Sequence, residues 1–308
     1  MLAVLSVAMP VFLLILIGGI AGRYGFLGRD ATGALNMFVV YLSLPAVLFQ
    51  AMAHIRPAEL TNSGLLAAFC AGIAAAFIPA LFIARARGAP LGNAAMQALS
   101  ASFCNTGYMG IPLCRMAFGD DSLVPSVITM VITACPQFAL AIALVEMDRP
   151  GASALAIARR VGKALSTNPL LIAPVAGLAV SASGLPVPLV GERFLTILGA
   201  AATPCALVAT GMMVAESQER FRPLLVGRLV FLKLFVQPGV AWVVAFRLVD
   251  LPFAWAGTAV LMSALPTGAS AFILAKLYGR EAASTSGTVL MSTVASFFTL
   301  SILLAWLT

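Results

Sequence analysis

Apolar stretches of bilayer-spanning length recur from one end of this 308-residue chain to the other, and nearly all charges fall in the short connections between them. A helix needs about 20 apolar residues to cross a hydrocarbon core of ~30 Å. Ten segments meet that length, near 2–22, 34–53, 62–84, 95–118, 123–145, 165–182, 191–214, 224–248, 253–277 and 284–307. Only 9% of the residues are charged, against about 25% in soluble domains, so a soluble globule of this size could not be solvated. The expected fold class is an all-α polytopic membrane protein with ten transmembrane helices. The longest connection, 146–164, leaves no room for a separate soluble domain.

The cationic side chains orient this set, because cytoplasmic connections retain Lys and Arg. Connections after the odd-numbered spans hold thirteen: Arg23, Arg29, Arg85, Arg87, Arg149, Arg159, Arg160, Lys163, Arg220, Arg222, Arg228, Lys276 and Arg280. The opposite connections hold four, Arg56, Arg115, Arg193 and Arg247, while Lys233 lies inside span 8. Both termini are therefore expected outside the cytoplasm and the 146–164 connection within it. The net charge of +7 reads as a topology signal and not as a nucleic-acid surface. No Lys or Arg precedes Arg23, so residues 1–22 read as a retained helix and not a signal peptide. The five cysteines sit in apolar segments without metal-ligand spacing and the single His54 has no cysteine partner. They read as buried thiols, with no metal and no cofactor expected.

The two halves match at a nearly constant offset. Pro10, Gly18 and Gly25 correspond to Pro169, Gly177 and Gly184, and Leu44-Pro45-Ala46 to Thr203-Pro204-Cys205, each 159 residues later. Phe118-Gly119 corresponds to Tyr278-Gly279, 160 residues later. Five spans is an odd number, so the second copy enters the membrane from the opposite side. The expected architecture is two inverted five-helix repeats, 1–148 and 165–308, joined by a cytoplasmic loop at 149–164.

Spans 4 and 9 carry matched interruptions, Ser102 to Pro112 and Ser263 to Ala271, in which Gly, Pro and small polar residues should break a helix. Inversion sets these breaks against each other near the midplane, as broken, crossed helices 4 and 9. A helix restarting there presents unpaired N–H groups and roughly half a positive charge, suited to a carboxylate. Pro112 suits the first turn of such a half-helix, and Gly107, Gly110 and Gly268 permit close backbone approach. Asn105, Thr106, Thr267 and Ser270 add neutral hydrogen-bonding groups, and Pro266 marks the second break. Gln137, after Pro136 in span 5, reads either as a cavity residue or as packing. No Asp or Glu lies near the centre of any span, which disfavours a cation as primary cargo. An anion held by helix ends needs no buried lysine.

The Asn105-Thr106-Gly107 and Gly110-Ile111-Pro112-Leu113 elements, with Leu265-Pro266-Thr267-Gly268 in the second half, resemble the auxin efflux carrier family. Leu44-Pro45-Ala46, Pro204 and Gly211 are similar to further family positions, so the resemblance covers the whole chain. It implies a ten-helix inverted-repeat fold shared with bile acid:sodium symporters, with spans 1, 2, 6 and 7 as scaffold and spans 3–5 and 8–10 as a mobile transport domain, commonly in a homodimer. By position it implies that Asn105, Pro112, Pro266 and Gln137 line the substrate site. The long cytoplasmic loop of many plant members is missing, which points to a bacterial-type member. The expected function is a secondary carrier of a small organic anion, a mono- or dicarboxylate, in the cytoplasmic (inner) membrane, with lipid and that anion as partners. Competing readings are a sodium-coupled symporter of the bile-acid type, a membrane sensor or scaffold, and an intramembrane enzyme. The last lacks the His or Glu cluster it would need.

Overall fold

The computed structural model describes residues 2–28, 30–54, 62–149, 153–184, 186–216 and 221–307. Arg29, Arg56 and Arg220, counted among the connection charges, lie outside the described residues. The described chain is helical, and its only extended pairing is a single antiparallel bridge between Cys104 and Thr267. In order, the helices are α1 (Leu2–Tyr24), α2 (Ala31–Phe38), α3 (Leu44–Ala53), α4 (Ser63–Ala86), α5 (Leu91–Ser102), α6 (Ile111–Phe118), α7 (Leu123–Ile132) and α8 (Phe138–Met147). There follow α9 (Ala154–Ser166), α10 (Pro169–Ser183), α11 (Leu189–Ala200), α12 (Ala202–Glu216), α13 (Pro223–Phe231), α14 (Gln237–Val243), α15 (Phe253–Ala264), α16 (Ala269–Tyr278) and α17 (Ala282–Leu307). Six helical runs are long and apolar enough to cross a membrane: Ala31–Ala53, Ser63–Ala86, Thr106–Met147, Leu189–Ala215, Pro223–Leu248 and Ala282–Leu307. Shorter apolar helices cover Met9–Tyr24, Pro169–Ser183, Phe253–Ala264 and Ala269–Tyr278.

Several runs are welded from two α-helical pieces through a widened π turn, and proline explains where. The turns Val39–Ser43, Thr106–Gly110 and Leu232–Val236 each end two residues before a proline, at Pro45, Pro112 and Pro238, while Thr133–Gln137 contains Pro136. Proline gives no N–H to the carbonyl four residues back, and its ring crowds that carbonyl. Inserting one residue into the preceding turn relieves the crowding without ending the helix. The helix starts follow ordinary capping chemistry. Asn62 and Asn168 accept from the N–H of Leu65 and Leu170, each at 3.0 Å, so Asn168-Pro169 is a helix start.

Polarity runs inside-out, as a bilayer demands. On α17, Ser284, Thr285, Thr288, Ser292 and Ser296 are buried, while Val294, Phe298, Ile302 and Trp306 are exposed. Thr288, Ser292 and Ser296 donate back to carbonyls of their own helix, Thr288 to Ser284 O at 2.7 Å, while Thr285 accepts from Ser100 Oγ on α5 at 3.0 Å. Two helix pairs pack at backbone distance. On α1, a Cβ at Gly18 would collide with the carbonyl of Val208 on α12; on α10, a Cβ at Gly177 would collide with the carbonyl of Phe49 on α3.

The connection expected as a loop at 149–164 contains a helix, α9. Ile157, Val161 and Leu165 recur at intervals of four along one face and are half-buried, while Arg159, Arg160 and Lys163 are exposed. Arg160 pairs with Glu146 at the end of α8.

Where α13 and α17 begin beside the middle of α5, Glu281 accepts from Arg222 Nη2 through both oxygens at 2.8 Å and from Gln97 Nε2 at 3.0 Å. Burial raises the Glu281 pKa, but the hydrogen bonds from Arg222, Ser284 and Gln97 outweigh it and hold the carboxyl below its ordinary value. A depressed carboxyl stabilises the fold above the ordinary glutamate range, and that stability is lost as pH falls through the lowered folded value. Thermal unfolding of wild type should therefore drop more steeply on acidification through that window than that of Glu281→Gln. Parallel curves would remove Glu281 from the pH response.

Candidate functional site

The helix α5 stops at Ser102 and helix resumes at Thr106; α15 stops at Ala264 and helix resumes at Ala269. The two intervening stretches run antiparallel and cross. Asn105 N donates to Pro266 O at 3.0 Å, and Gly268 N donates to Phe103 O at 3.0 Å. Thr267 is held at both ends of its reach, its N–H donating to Ser292 Oγ at 3.0 Å and its hydroxyl to Ser100 O at 2.8 Å. Breaking two helices frees backbone groups that would be expensive in hydrocarbon, and the crossing lets each break satisfy the other. Gly268 suits this approach, because a Cβ there would press on the Phe103 ring at 3.0 Å and on Cys104 O at 3.2 Å. Gly110 packs just as closely beneath Met262 and Leu265 on the other half-helix.

Both restarting helix ends reach a small cavity of about 40 Å³, walled by Asn105, Thr106, Gly107, Gly268, Ala269 and Ser270 with Tyr108, Thr133 and apolar neighbours. A water requires roughly 10–15 Å³ of such space, so the cavity has room for a few waters and not for an organic ion. Leu44 and Gly107 also line a second, open cavity of about 700 Å³ whose wall includes Gln50, His54, Pro112, Arg115, Asp120 and Thr203. Polar pairs stand around that larger cavity: His54 Nε2 lies 3.1 Å from Glu192 Oε1, and Arg115 Nε pairs with Asp120 Oδ1 at 2.8 Å. No carboxylate lines the small cavity. Neither restarting end is capped by a side chain: Gly268 precedes α16, and Asn105 precedes the turn Thr106–Gly110 without capping it.

The residues singled out in the sequence therefore separate by location. Asn105, Thr106, Gly107, Gly268 and Ser270 line the small cavity, and Pro112 lines the larger one. Pro266 and Thr267 build the crossing, and Gly110 sits in the contact between half-helices. Gln137 lies behind the wall, donating to Ser102 Oγ at 2.8 Å and so tying the Thr133–Gln137 turn to the end of α5.

One residue of this region escapes the sequence reading. Lys233, in the turn Leu232–Val236, is fully buried, and its Nζ donates to Ser263 O at 2.7 Å, at the end of α15. Gln237, one turn on, donates to Cys104 Sγ at 3.1 Å, inside the first break. The available signal was a lone lysine within an apolar span, which marks function by default.

Residues 3–304 match a family described as membrane transport protein. A relative from Rhizobium meliloti (strain 1021), named "Putative malonate transporter", is 30% identical over 317 aligned positions that cover 99% of this chain and 96% of the relative. An "Uncharacterized transporter" from Methanothermobacter thermautotrophicus (strain ATCC 29096 / DSM 1053 / JCM 10044 / NBRC 100330 / Delta H) is 25% identical over 298 positions, 95% of this chain and 94% of that one.

Proposed function

The chain belongs to the membrane transport protein family, that of the auxin efflux carriers, and we propose that it is a secondary carrier moving a small organic anion by alternating access. The observation that carries this reading is the pair of uncapped helix N-termini meeting at a cavity without a carboxylate. Each such end contributes about half a positive charge and free N–H donors, a complement to one carboxylate group. Malonate, named for the Rhizobium relative, is the first substrate to test.

The proposed architecture is ten spans in two inverted repeats. In its support, the 159-residue offset relates not only Gly18 to Gly177 but also the carbonyls they abut, those of Val208 and Phe49. The heaviest helix pairings support such a division: α1 packs on α12, and α3 on α10 and α11, whereas α4 packs on α5 and α14, and α14 on α15. The first group corresponds to a scaffold and the second to a mobile half carrying the crossing. In this reading the larger cavity is the outward vestibule, Leu44 and Gly107 are its floor, and the small cavity widens to accept the anion as the mobile half moves. Both termini and the vestibule face away from the cytoplasm.

Flux of labelled malonate, acetate and larger monocarboxylates into proteoliposomes tests the reading. Saturable flux of at least one carboxylate is expected, falling about tenfold or more in Asn105→Ala as an anion-facing polar group is lost. Absence of carboxylate flux in wild type, or unchanged flux in the variant, would reject it.

A further inference from the structure

Lys233 is a fully buried lysine with no carboxylate beside it: among the described residues none lies within ion-pair distance. An ammonium in that place is costly unless other groups replace its hydration. Its neighbours are a carbonyl at the end of α15 and the Cys104 side chain just past the end of α5. Ser263, whose carbonyl accepts from Nζ at 2.7 Å, is the penultimate residue of α15. Cys104, beside the ammonium, lies two residues beyond the end of α5. The last carbonyls of a helix have no N–H partner within it, and each C-terminus carries about half a negative charge. Gln237 Oε1 and Ser263 Oγ, on residues that frame this spot, are buried and accept from no donor, Nζ included, so they stay available to a smaller cation. A backbone carbonyl, a hydroxyl and an amide oxygen are the oxygen donors a hard monovalent cation would take.

We propose that the Lys233 ammonium is a resident cation, filling the cation position made by the crossed half-helices, so that the crossing closes without a metal ion and sodium is not a co-substrate. The transport part rests on the carrier reading above; the occupancy part does not. Lys233 lines neither the small nor the larger cavity, so it acts by positioning the ends of α5 and α15 and not by touching substrate. Its counterpart 159 residues earlier is Ala74, so a single ammonium serves both helix ends.

The experiment is thermal unfolding of the purified full-length protein in choline, sodium, potassium or methylammonium chloride at equal ionic strength. Wild type should unfold at the same temperature in all four. Lys233→Ala, which vacates the position, should be less stable in choline and regain about 5 °C or more, saturably, in at least one small cation. Lys233→Met, which fills the position without charge, should be destabilised and indifferent to the cation. Sodium-specific stabilisation of wild type, or a Lys233→Ala protein insensitive to every cation, would overturn the proposal. Should Lys233→Ala not fold, wild-type flux decides the question. Equal carboxylate flux with sodium or choline supports the proposal, and flux that needs sodium overturns it. Absence of flux in every buffer would reject the carrier reading and leave the unfolding result standing.

Discussion

Gly18→Leu and Gly177→Leu are expected to lower the unfolding temperature in detergent by similar amounts, each about 5 °C, since overpacking of about 3 kcal/mol shifts a unit of this size by somewhat under 2 °C per kcal/mol. In both cases the first atom of the new side chain meets a carbonyl of the facing helix, Val208 O or Phe49 O. A backbone carbonyl in a helix cannot rotate aside as a flexible side chain would. The helices must separate, and membrane helices draw their association from this close approach of small residues. Gly227→Leu is the control, because nothing lies within 4 Å of a Cβ at Gly227. The comparable size of the two losses is what the proposed repeat requires, since one offset relates both glycines and both carbonyls. A large loss in one variant with none in the other would dissolve the equivalence of the halves.

Helix content and the location of the two breaks were legible because they follow from local chemistry. Gly, Pro and small polar residues interrupt otherwise apolar runs, and helix does stop at Ser102 and Ala264. The π turns were not foreseen, although proline positions mark them. Which polar group faces a cavity was beyond local reasoning. The Thr267 hydroxyl is spent on Ser100 O, and the Gln137 amide on Ser102 Oγ, by partners 167 and 35 residues away. Lys233 illustrates the same limit. Its partners, Ser263 at the end of α15 and Cys104 just past α5, come together only once the chain has crossed. The α9 helix, by contrast, was written in the four-residue spacing of Ile157, Val161 and Leu165.

Ser270→Asp should reduce carboxylate flux by about 100-fold, whereas Ser270→Asn should stay within a few-fold of wild type. Ser270 is the second residue of α16 and part of the small cavity wall. An aspartate at this position is favourable for the helix itself, because it answers the positive N-terminal end and its free N–H groups. The variant should therefore fold, with its own carboxylate in the place of the substrate's. Two unit charges about 5 Å apart at an effective dielectric of ~20 repel by about 3 kcal/mol, which is the 100-fold loss. Asparagine offers similar volume and hydrogen bonding without the charge, so it separates electrostatics from shape. The loss in Ser270→Asp should also shrink as pH falls and the introduced carboxyl is protonated, a recovery that Ser270→Asn cannot show. Equal losses in both variants would mean that the start of α16 is not where a negative charge binds.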